Sequence, residues 1–424
     1  MTEKAVKLSS RNVAPGIISG RLKAAPSKSM MLRAAASAFL AGGKSRILNP
    51  SFCDDAQAGL GILESLGAGV EKKDDMIVIQ SGRPVENTIV NCRESGLCAR
   101  MFAPIAALFD REITLEGTGS LLRRPMKMME SPLKKLGVSC ITGHGFFPVK
   151  IKGPIRGGKI RIDASLSSQF LSGLLLALPH CRQDSLIIAD DLHSKPYILM
   201  TLTILSFCGI RIDTEKNMSR FFIPGDQQAH NFSYRVEGDW SGAAFFLVGG
   251  ALAGNITVEN LQMDSSQGDK KILDVLIQCG ARVKTEKNTV TVSHDSLKAF
   301  NFNAEDCPDL FPPLAVLACQ CSGLSVLSGV NRLRYKESSR AEVLTKELSR
   351  LGADIKTTGD KMEIRGSRLT GGIIDSHGDH RIAMAGAISS LNAAKNVEIK
   401  GWECVSKSYP AFFDDLKAVG GKIE

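Results

Sequence analysis

Apolar residues recur along the chain at helical spacing and then stop at a glycine, after which the next residues alternate as in a strand. The segment ILESLGAGV at 62–70 shows this pattern, and ELSRLGADI at 347–355 repeats it. Apolar positions three and four apart predict the buried face of a helix. A glycine after the last of them predicts a helix end in the left-handed conformation. Each copy therefore predicts a helix followed by a strand.

Six copies of this pattern occur, and their glycines are spaced at about 70 residues. These glycines are Gly67, Gly137, Gly209, Gly280, Gly352 and Gly420. A helix, a glycine and a strand follow one another in many α/β proteins, but six evenly spaced copies indicate a repeated unit. A unit of this length can hold several strands and two helices. We therefore predict an α/β fold of six modules, three in each of two domains.

Polar clusters precede these glycines and contain the side chains that favour helix starts. The clusters are CDDAQ (53–57), RRPM (123–126), HSKPY (193–197), SSQGD (265–269), YKESSR (335–340) and SKSYP (406–410). Serine, aspartate and an early proline are typical of helix N-termini, whose N–H groups and partial positive charge attract anions. We expect the six helix starts to face one electropositive cleft.

Composition and charge narrow the class of partner. Hydrophobic residues make up 43% of the 424-residue chain, which is ordinary for a globular protein. The formal net charge of +9 favours anionic partners. With two Trp, four Tyr and no run of five basic residues, the chain is poorly equipped to bind nucleic acid. We therefore expect small anionic substrates.

The sequence favours a cytoplasmic protein with reduced thiols. Its apolar stretches are shorter than the ~18 residues needed to span a bilayer, so no membrane association is expected. The first ten residues lack the apolar segment of a secretory signal. Eleven cysteines without C-x-x-C spacing argue against a disulfide framework and a structural zinc site. We expect most of them to be small buried apolar side chains.

The stretch APSKSMMLR at 25–33 is the first candidate anion site. Ser27, Lys28 and Ser29 precede an apolar run that contains Arg33. The chain lacks both G-x-x-x-x-G-K-[ST] and G-x-G-x-x-G, so the sequence indicates neither a nucleoside triphosphate nor a dinucleotide. Small hydroxyls and fixed positive charges instead suit a small anion.

Other stretches combine polar or charged residues with apolar runs. They are SLSSQFLSGLLL (165–176), DCPDLFPPLAVLA (306–318), NRLRYKESSR (331–340) and SHGDHRIAMA (376–385). Alone, the first is typical of a helix N-cap and the third of a solvated helix face. In the last, Asp379, His380 and Arg381 begin a run too apolar for a surface helix. Three ionisable groups at such a place indicate an anionic ligand.

Together and in this order, the motifs resemble those of the EPSP synthase family, within the enolpyruvyl transferase superfamily. Each motif alone is weak, but the match extends through most of the chain. The matching motifs are SK-S-x-x-x-R from Ser27 to Arg33, RP at 124–125, SSQF at 167–170, SKPY at 194–197, VEGD at 236–239, PDL at 308–310, KES-x-R at 336–340, GDHR-x-AM at 378–384 and the late Lys407.

The resemblance implies a two-domain inside-out α/β barrel of six βαβαββ-type modules, with helices inside and sheets outside. One domain would be discontinuous and comprise residues 1–25 and 236–424. The other would comprise residues 26–235. The active site would lie in the cleft between the domains, where helix N-termini meet, and the cleft would close on substrate.

The resemblance also implies an activity, which is transfer of the enolpyruvyl group of phosphoenolpyruvate to the 5-hydroxyl of shikimate 3-phosphate in aromatic amino acid biosynthesis. The residues expected to bind phosphoenolpyruvate are Lys28, Gly96, Arg124, Gln169, Arg340, Arg381 and Lys407. Those expected to bind shikimate 3-phosphate are Lys28, Ser29, Arg33, Ser167, Ser168, Gln169, Ser194, Tyr197, Asp309 and Lys336. Those expected to carry protons are Lys28, Asp309, Glu337 and His380. The family precedent implies a monomer that needs no metal and no organic cofactor.

One stretch departs from the family pattern beside the expected phosphoenolpyruvate pocket. The usual N-x-G-T-x-x-R loop reads ESGLCAR at 94–100. Gly96 is kept, but Glu94 replaces asparagine, Leu97 replaces threonine, and Met101 stands where proline is usual. We expect these changes to alter the affinity for phosphoenolpyruvate and to weaken inhibition by glyphosate, the family's inhibitor.

Two other interpretations stay open at this point. A UDP-N-acetylglucosamine enolpyruvyl transferase would share the fold and the chemistry. Its early loop normally carries a Lys-Asn pair, whereas here Lys28 precedes Ser29. An inactive binding or scaffold protein on the same fold is the second alternative, and the retained acidic and basic motif residues argue against it.

Overall fold

The computed structural model describes residues 9–82, 87–165 and 167–424. The first eight residues of the predicted segment 1–25 therefore lie outside the described residues. The chain forms two compact units. The N-terminal unit comprises Pro26–Glu237 and Ser266–Gly268, and the C-terminal unit comprises the residues up to Ala25, Gly238–Ser265 and Asp269–Glu424. Nothing in the sequence pattern indicated that residues 266–268 would belong with the N-terminal unit.

Helices and short strands alternate through the described ranges. The helices there are α1 (Lys28–Leu40), α2 (Asp54–Ser65), α3 (Gly96–Ala106), α4 (Glu130–Lys135), α5 (Ser168–Ala177), α6 (Lys195–Phe207), α7 (Trp240–Ala253), α8 (Ile272–Gln278), α9 (Phe311–Cys319), α10 (Arg340–Arg350), α11 (His380–Ser390) and α12 (Phe412–Ala418). The strands are β1 (Ser10–Ala14), β2 (Ile18–Lys23), β3 (Lys44–Leu48), β4 (Gly69–Lys73), β5 (Met76–Gln80), β6 (Ile89–Asn91), β7 (Glu112–Glu116), β8 (Ser139–Gly143), β9 (Phe146–Lys152), β10 (Lys159–Asp163), β11 (Ser185–Asp190), β12 (Asp213–Thr214), β13 (Arg220–Ile223), β14 (Ser233–Arg235), β15 (Gly254–Glu259), β16 (Arg282–Glu286), β17 (Thr289–Ser293), β18 (Asn301–Asn303), β19 (Leu324–Ser328), β20 (Asp354–Thr358), β21 (Lys361–Arg365), β22 (Gly372–Asp375), β23 (Val397–Lys400) and β24 (Lys422–Ile423).

Across the part of the chain that the structure describes, these strands form six four-stranded sheets with one shared topology. The N-terminal unit holds β14-β3-β5-β4, β6-β7-β9-β8 and β10-β11-β13-β12. The C-terminal unit holds β2-β15-β17-β16, β18-β19-β21-β20 and β22-β23-β1-β24. In each sheet the first two strands are parallel and the remaining pairs are antiparallel. The predicted architecture of six modules, three in each half of the molecule, is therefore confirmed.

Strand pairing explains why the start of the chain belongs to the C-terminal unit. Strand β2 runs parallel to β15, with Ile18 opposite Gly254 and Lys23 opposite Glu259. Strand β1 lies between β23 and β24, and Val13 pairs with Val397 on one side and Ile423 on the other. Two modules of this unit are thus completed by strands from the first 25 residues.

The first helix of each module forms the interior of its unit. Every residue of α3, α9 and α11 is buried, and α7 is apolar on nearly every side. A helix that is apolar all round needs to be enclosed by other elements. Helix α3 packs closely on α5, where a Cβ at Gly173 would lie 2.4 Å from the Met101 carbonyl oxygen. Among the described residues no helix has both the length and the apolar character to cross a bilayer.

The six repeated glycines end six helices in the same way. Their φ angles lie between 82° and 99°, which is the left-handed region. The residue after each glycine donates its N–H back into the helix, as Val138 does to the Leu133 carbonyl at 3.0 Å and Ala281 to Leu276 at 2.9 Å. This is the Schellman helix end that the pattern predicted.

The predicted helix starts are correct for three of the polar clusters. Helices α2, α6 and α10 begin within CDDAQ, HSKPY and YKESSR. The clusters RRPM and SSQGD instead lead into 3-10 turns, at Lys127–Met129 and Gly268–Lys271, before α4 and α8 begin. The cluster SKSYP starts at the end of the 3-10 turn Trp402–Lys407 and precedes α12.

Replacing Gly137 by alanine should lower the free energy of unfolding by about 1 kcal/mol, because alanine is strained at a φ of +84°. The added methyl group would meet only the flexible side chain of Arg156 at 3.4 Å, so backbone strain dominates. Gly61 lies inside α2 with open space around it, and Gly61→Ala should leave stability unchanged or raise it. Urea unfolding of both variants measures the difference. Equal effects would contradict the assigned helix end.

Candidate active site

Asp309 is the centre of a charged cluster in the C-terminal unit. It lies in the 3-10 turn Pro308–Leu310, directly before the buried helix α9. Its Oδ1 accepts hydrogen bonds from Arg340 Nη1 at 2.9 Å and from Lys336 Nζ at 3.3 Å. Its Oδ2 accepts one from Arg381 Nη2 at 3.1 Å. Three cations around one carboxylate favour its ionised form.

Arg340 links Asp309 to two further carboxylates. Its side chain is 1% exposed and begins helix α10. Nε donates to Asp379 Oδ2 at 2.9 Å, while Nη2 donates to Glu337 Oε2 at 2.6 Å and to Asp379 Oδ1 at 3.2 Å. Burial alone would lower the pKa of Arg340, but the charges of Asp379, Glu337 and Asp309 raise it. The arginine is therefore permanently charged and fixes the geometry of the cluster.

Lys336 and Arg381 respond differently to their burial. Burial lowers the pKa of Lys336, and the neighbouring Asp309 carboxylate only partly opposes the shift. Burial also acts to lower the pKa of Arg381, but Asp309 and other nearby carboxylates outweigh it and raise the pKa. Of these two cations, Lys336 loses its proton more readily.

Asp379 connects this cluster to helix α11. It is fully buried, and its Oδ1 caps the helix by accepting a hydrogen bond from the Arg381 N–H at 3.0 Å. His380 begins the helix, is 1% exposed, and has Nδ1 at 4.0 Å from Asp379 Oδ1. Lys407 Nζ donates to the carbonyl of Gly378 at 2.8 Å. The structure thus brings together every residue that the sequence predicted for the site in this unit.

Lys28 is held at the start of helix α1 in the N-terminal unit. Ser27 caps that helix, and its Oγ also donates to Gln267 Oε1 at 3.2 Å. Lys28 Nζ forms an ion pair with Asp55 Oδ2 at 2.7 Å, and the two side chains are 13% and 12% exposed. An opposite charge at this distance favours the charged form of the lysine. The lysine is therefore placed as a fixed cation beside Ser29.

Arg33 is fully buried next to the same helix start. Its Nε donates to Thr201 Oγ1 at 2.9 Å, its Nη1 to the Ser29 carbonyl at 2.9 Å, and its Nη2 to the Tyr197 carbonyl at 3.1 Å. Burial lowers the pKa of Arg33 to about 10. These bonds tie the first turn of α1 to the first turn of α6, so Arg33 positions Ser29 and Tyr197.

Helix α5 begins with two serines and a glutamine whose orientation is fixed. Ser167 is the N-cap and accepts the Gln169 N–H at 3.2 Å, while Ser168 is buried in the first turn. Arg100 Nη1 donates to Gln169 Oε1 at 2.8 Å, and Arg100 Nη2 donates to the Pro125 carbonyl at 3.1 Å. With Oε1 engaged, the Nε2 end of the Gln169 amide is the end that can donate to a ligand.

Arg124 lies against the first turn of helix α3. A Cβ at Gly96 would come within 2.5–2.9 Å of the Arg124 guanidinium, so this close approach requires glycine. Glu94 Oε2 accepts hydrogen bonds from Ser120 N at 3.0 Å and Ser120 Oγ at 2.9 Å. Ser120 belongs to the 3-10 turn Gly119–Arg123, which leads into Arg124. The glutamate that departs from the family pattern therefore fixes the turn that carries the arginine.

Ser194 adopts an uncommon backbone conformation at the start of helix α6. Its φ of +56° and ψ of +40° lie in the left-handed region, and it is 3% exposed. Its carbonyl accepts the Tyr197 N–H at 3.0 Å. Such strain costs ~1–3 kcal/mol and is concentrated at ligand-binding sites. The left-handed turn fixes where Ser194 and Tyr197 can present their side chains.

Three residues that hold the predicted site residues in place have no role that their sequence motifs indicate. Arg100 orients Gln169, Asp55 pairs with Lys28, and Asp379 joins Arg340 to α11. Each of the three lay inside a quoted motif. Buried charges need partners, so a partner for each was to be expected. Which residue serves as the partner depends on contacts between segments that are far apart in the sequence. The periodic pattern of apolar residues does not indicate those contacts.

Arg340→Met should lower the free energy of unfolding by about 3–5 kcal/mol, because it leaves Asp379 and Glu337 without their buried counter-charge. Arg282 provides a matched control, since its ion pair with Asp295 is solvent-exposed. Arg282→Met should cost less than about 1 kcal/mol. Urea denaturation measures both values. A loss of similar size in the two variants would show that the buried cluster contributes no more than a surface pair.

Comparison with known proteins places the chain in a family. It matches the family model for EPSP synthase (3-phosphoshikimate 1-carboxyvinyltransferase) over residues 13–416. The 3-phosphoshikimate 1-carboxyvinyltransferase of Clostridium novyi (strain NT) is 36% identical over 425 residues, which cover 97% of this chain and 98% of that protein. The enzyme of the same name from Clostridium botulinum (strain Alaska E43 / Type E3) is 37% identical over 420 residues, which cover 96% and 97%.

Solved structures agree with the architecture described above. An EPSP synthase structure from Acinetobacter baumannii superimposes with a TM-score of 0.84 at 25% identity, covering 98% of this chain and 99% of that chain. The enolpyruvyl transferase NikO from Streptomyces tendae shares the fold, with a TM-score of 0.79 at 15% identity and 98% coverage of each chain. The two-domain enolpyruvyl transferase fold predicted from the sequence is therefore confirmed. With a family model that matches nearly its whole length and relatives that are more than a third identical, the chain belongs to the EPSP synthase (3-phosphoshikimate 1-carboxyvinyltransferase) family.

Proposed function

We propose that this chain transfers the enolpyruvyl group of phosphoenolpyruvate to the 5-hydroxyl of shikimate 3-phosphate, releasing phosphate and 5-enolpyruvylshikimate 3-phosphate. The observation that carries the proposal is the cluster in which Asp309 is bound by Lys336, Arg340 and Arg381, with Glu337 on the same arginine. This cluster supplies carboxylates for proton transfer and cations for anionic substrates in one place. We further propose that the enzyme acts as a monomer in the cytoplasm.

The cationic residues suit phosphoenolpyruvate, which carries both a phosphate and a carboxylate. We assign them to this substrate because guanidinium and ammonium groups bind such oxygens by charge-assisted hydrogen bonds. The assigned residues are Lys28, Gly96, Arg124, Gln169, Arg340, Arg381 and Lys407. Arg340 already donates four of its five N–H groups to carboxylates, so its main contribution is to hold the cluster in shape. Gly96 contributes by letting Arg124 approach helix α3.

The hydroxyl-bearing helix starts suit shikimate 3-phosphate. Serine hydroxyls and N-terminal N–H groups of helices bind phosphate oxygens, and an acidic side chain binds ring hydroxyls. The residues assigned to this substrate are Lys28, Ser29, Arg33, Ser167, Ser168, Gln169, Ser194, Tyr197, Asp309 and Lys336. Within this set Arg33 acts indirectly, through the backbone carbonyls of Ser29 and Tyr197.

The reaction follows an addition–elimination path through a tetrahedral intermediate. A bond forms between the 5-hydroxyl oxygen and C2 of phosphoenolpyruvate, the hydroxyl proton passes to a carboxylate, and C3 receives a proton from an acid. The intermediate then returns a proton from C3, and the bond between C2 and the phosphate oxygen breaks. We assign the carboxylates of Asp309 and Glu337 to proton transfer, with Lys28 and His380 as further proton carriers. The surrounding cations stabilise the departing phosphate.

We propose that the residue sets of the two units act on one pair of substrates. Each set is incomplete for the reaction. The C-terminal unit contributes the carboxylates Asp309 and Glu337, whereas the N-terminal unit contributes Lys28, Arg124 and the serine-bearing helix starts. Helix N-termini in both units offer N–H donors for anions.

A phosphate-release assay tests the proposed function against both alternatives. The purified protein is incubated with phosphoenolpyruvate and either shikimate 3-phosphate or UDP-N-acetylglucosamine. The proposal expects release with the first acceptor. Release with the UDP-sugar instead would assign the other enolpyruvyl transferase, and release with neither would indicate an inactive binding protein. Lys28 is followed in the sequence by Ser29 and not by asparagine, which favours shikimate 3-phosphate as the acceptor.

Glu337→Gln should reduce kcat by about a hundredfold or more, because an amide cannot exchange the proton that a carboxylate carries. Glutamine keeps the oxygen that accepts the hydrogen bond from Arg340, so the cluster should stay folded. Binding of shikimate 3-phosphate, measured by calorimetry, should be nearly unchanged. Glu342→Gln, at an exposed position in the first turn of α10, is the matched control. Turnover at the wild-type rate in Glu337→Gln would remove the proton-transfer role.

Leu97→Thr should lower the inhibition constant for glyphosate by about threefold or more, because it restores the family's residue beside Gly96. Leu97 is 8% exposed in the first turn of α3, and its neighbour Gly96 contacts the Arg124 guanidinium. The inhibition constant is measured against phosphoenolpyruvate for the wild type and the variant. Equal constants in both, at the level of a sensitive family member, would show that the altered loop does not affect this pocket.

A further inference from the structure

Asp269 is a buried carboxylate that the proposed reaction does not use. It lies in the 3-10 turn Gly268–Lys271 and is 3% exposed. Its Oδ2 accepts a hydrogen bond from Ser241 Oγ, at the start of helix α7. Its Oδ1 has no hydrogen-bond partner in the part of the chain that the structure describes. A buried, half-satisfied carboxylate is costly, so a compensating role is to be sought.

Titratable groups on several elements interact with Asp269. Asp239 precedes α7, Asp309 and the neutral Cys307 thiol precede α9, and Arg381 lies in the first turn of α11. Among these groups Arg381 is the cation that the three carboxylates of Asp239, Asp269 and Asp309 share. Its Nη2 already donates to Asp309 Oδ2 at 3.1 Å.

The Arg381 guanidinium does not neutralise the buried carboxylates of Asp239 and Asp269 while it is also paired with Asp309. Burial, and then the charge of Asp309, raise the pKa of Asp269 to about 7, while Arg381 and the Ser241 hydroxyl act in the opposite direction. Below that pH Asp269 is neutral, and Arg381 has the Asp309 carboxylate as its direct partner. Above it Asp269 gains a charge that competes with any incoming anion for Arg381.

We propose that Asp269 is a positioning residue that controls, through Arg381, how strongly the C-terminal cluster holds an anionic substrate. The proposal rests on the proposed function, since the substrate concerned is phosphoenolpyruvate. A neutral Asp269 leaves the positive charge of Arg381 available to the substrate's phosphate or carboxylate. An ionised Asp269 weakens that attraction, so the KM for phosphoenolpyruvate rises with pH while kcat changes less.

Asp269→Asn tests this directly, because the amide keeps an acceptor for Ser241 but cannot ionise. The KM for phosphoenolpyruvate is measured between about pH 6 and about pH 8.5 in both proteins. The ratio of wild-type KM to variant KM should rise by about threefold or more over this range. Ionisation of the substrate itself affects both proteins equally and cancels in the ratio. A ratio independent of pH would overturn the proposal.

Two further variants serve as controls, one for misfolding of Asp269→Asn and one for the general effect of removing a negative charge. Ser241→Ala removes the hydroxyl that stabilises the ionised carboxylate, so the rise in KM should move to higher pH. An unshifted profile in Ser241→Ala would contradict the proposal even if Asp269→Asn does not fold. Asp274→Asn removes the same charge from an exposed position of α8 and should behave as the wild type.

Calorimetric binding of inorganic phosphate separates this proposal from the proposed function. Wild-type affinity for phosphate should fall as pH rises through 7, and Asp269→Asn should show a smaller fall. That outcome without any phosphate release in the enzyme assay would sustain the role of Asp269 and reject the activity. Equal pH dependence of phosphate binding in both proteins would reject the role of Asp269.

Discussion

A helix that is apolar on every side has to be enclosed, and this constraint determines the rest of the molecule. The first helix of a module, such as α9 or α11, has no polar face that could be exposed to solvent. The sheets are therefore placed around these helices within each unit. Several of the charged and polar side chains then lie at the helix ends, where N–H groups also need partners. Asp309, Asp379 and Ser167 all occupy such ends, which is why the candidate site consists of helix starts.

The same enclosure explains the electrostatics of the site. Charges at the ends of buried helices are removed from water, and each needs a compensating charge from the same unit. Arg340 pairs with Glu337, which precedes its helix, and with Asp379, the N-cap of α11, while Lys28 pairs with Asp55 of α2. The resulting groups are held rigidly before any substrate arrives. Preorganised charges of this kind stabilise developing charge without having to reorient during the reaction.

Much of the fold was predictable because it is repeated. A helix end in the left-handed conformation demands glycine, so six glycines at even spacing predicted six modules. Candidate site residues could be named from the sequence because their motifs occur together in family order. The placement of Ser266–Gly268 with the N-terminal unit was not predictable, nor was the contact between Arg100 and Gln169. Both features depend on packing between segments that are distant in the sequence. The local sequence does not indicate which segment packs against which, or in what orientation.

Strand β1, which closes the last sheet, has a consequence for the order in which the protein forms during synthesis. Its neighbours β23 and β24 lie at 397–400 and 422–423, so β1 has no partner until both have been synthesised. The segment from Pro26 to Glu237 contains all the strands of three sheets and can assemble them much earlier. The nascent chain can thus carry one largely folded unit while both edges of β1 are still unpaired and open to other strands.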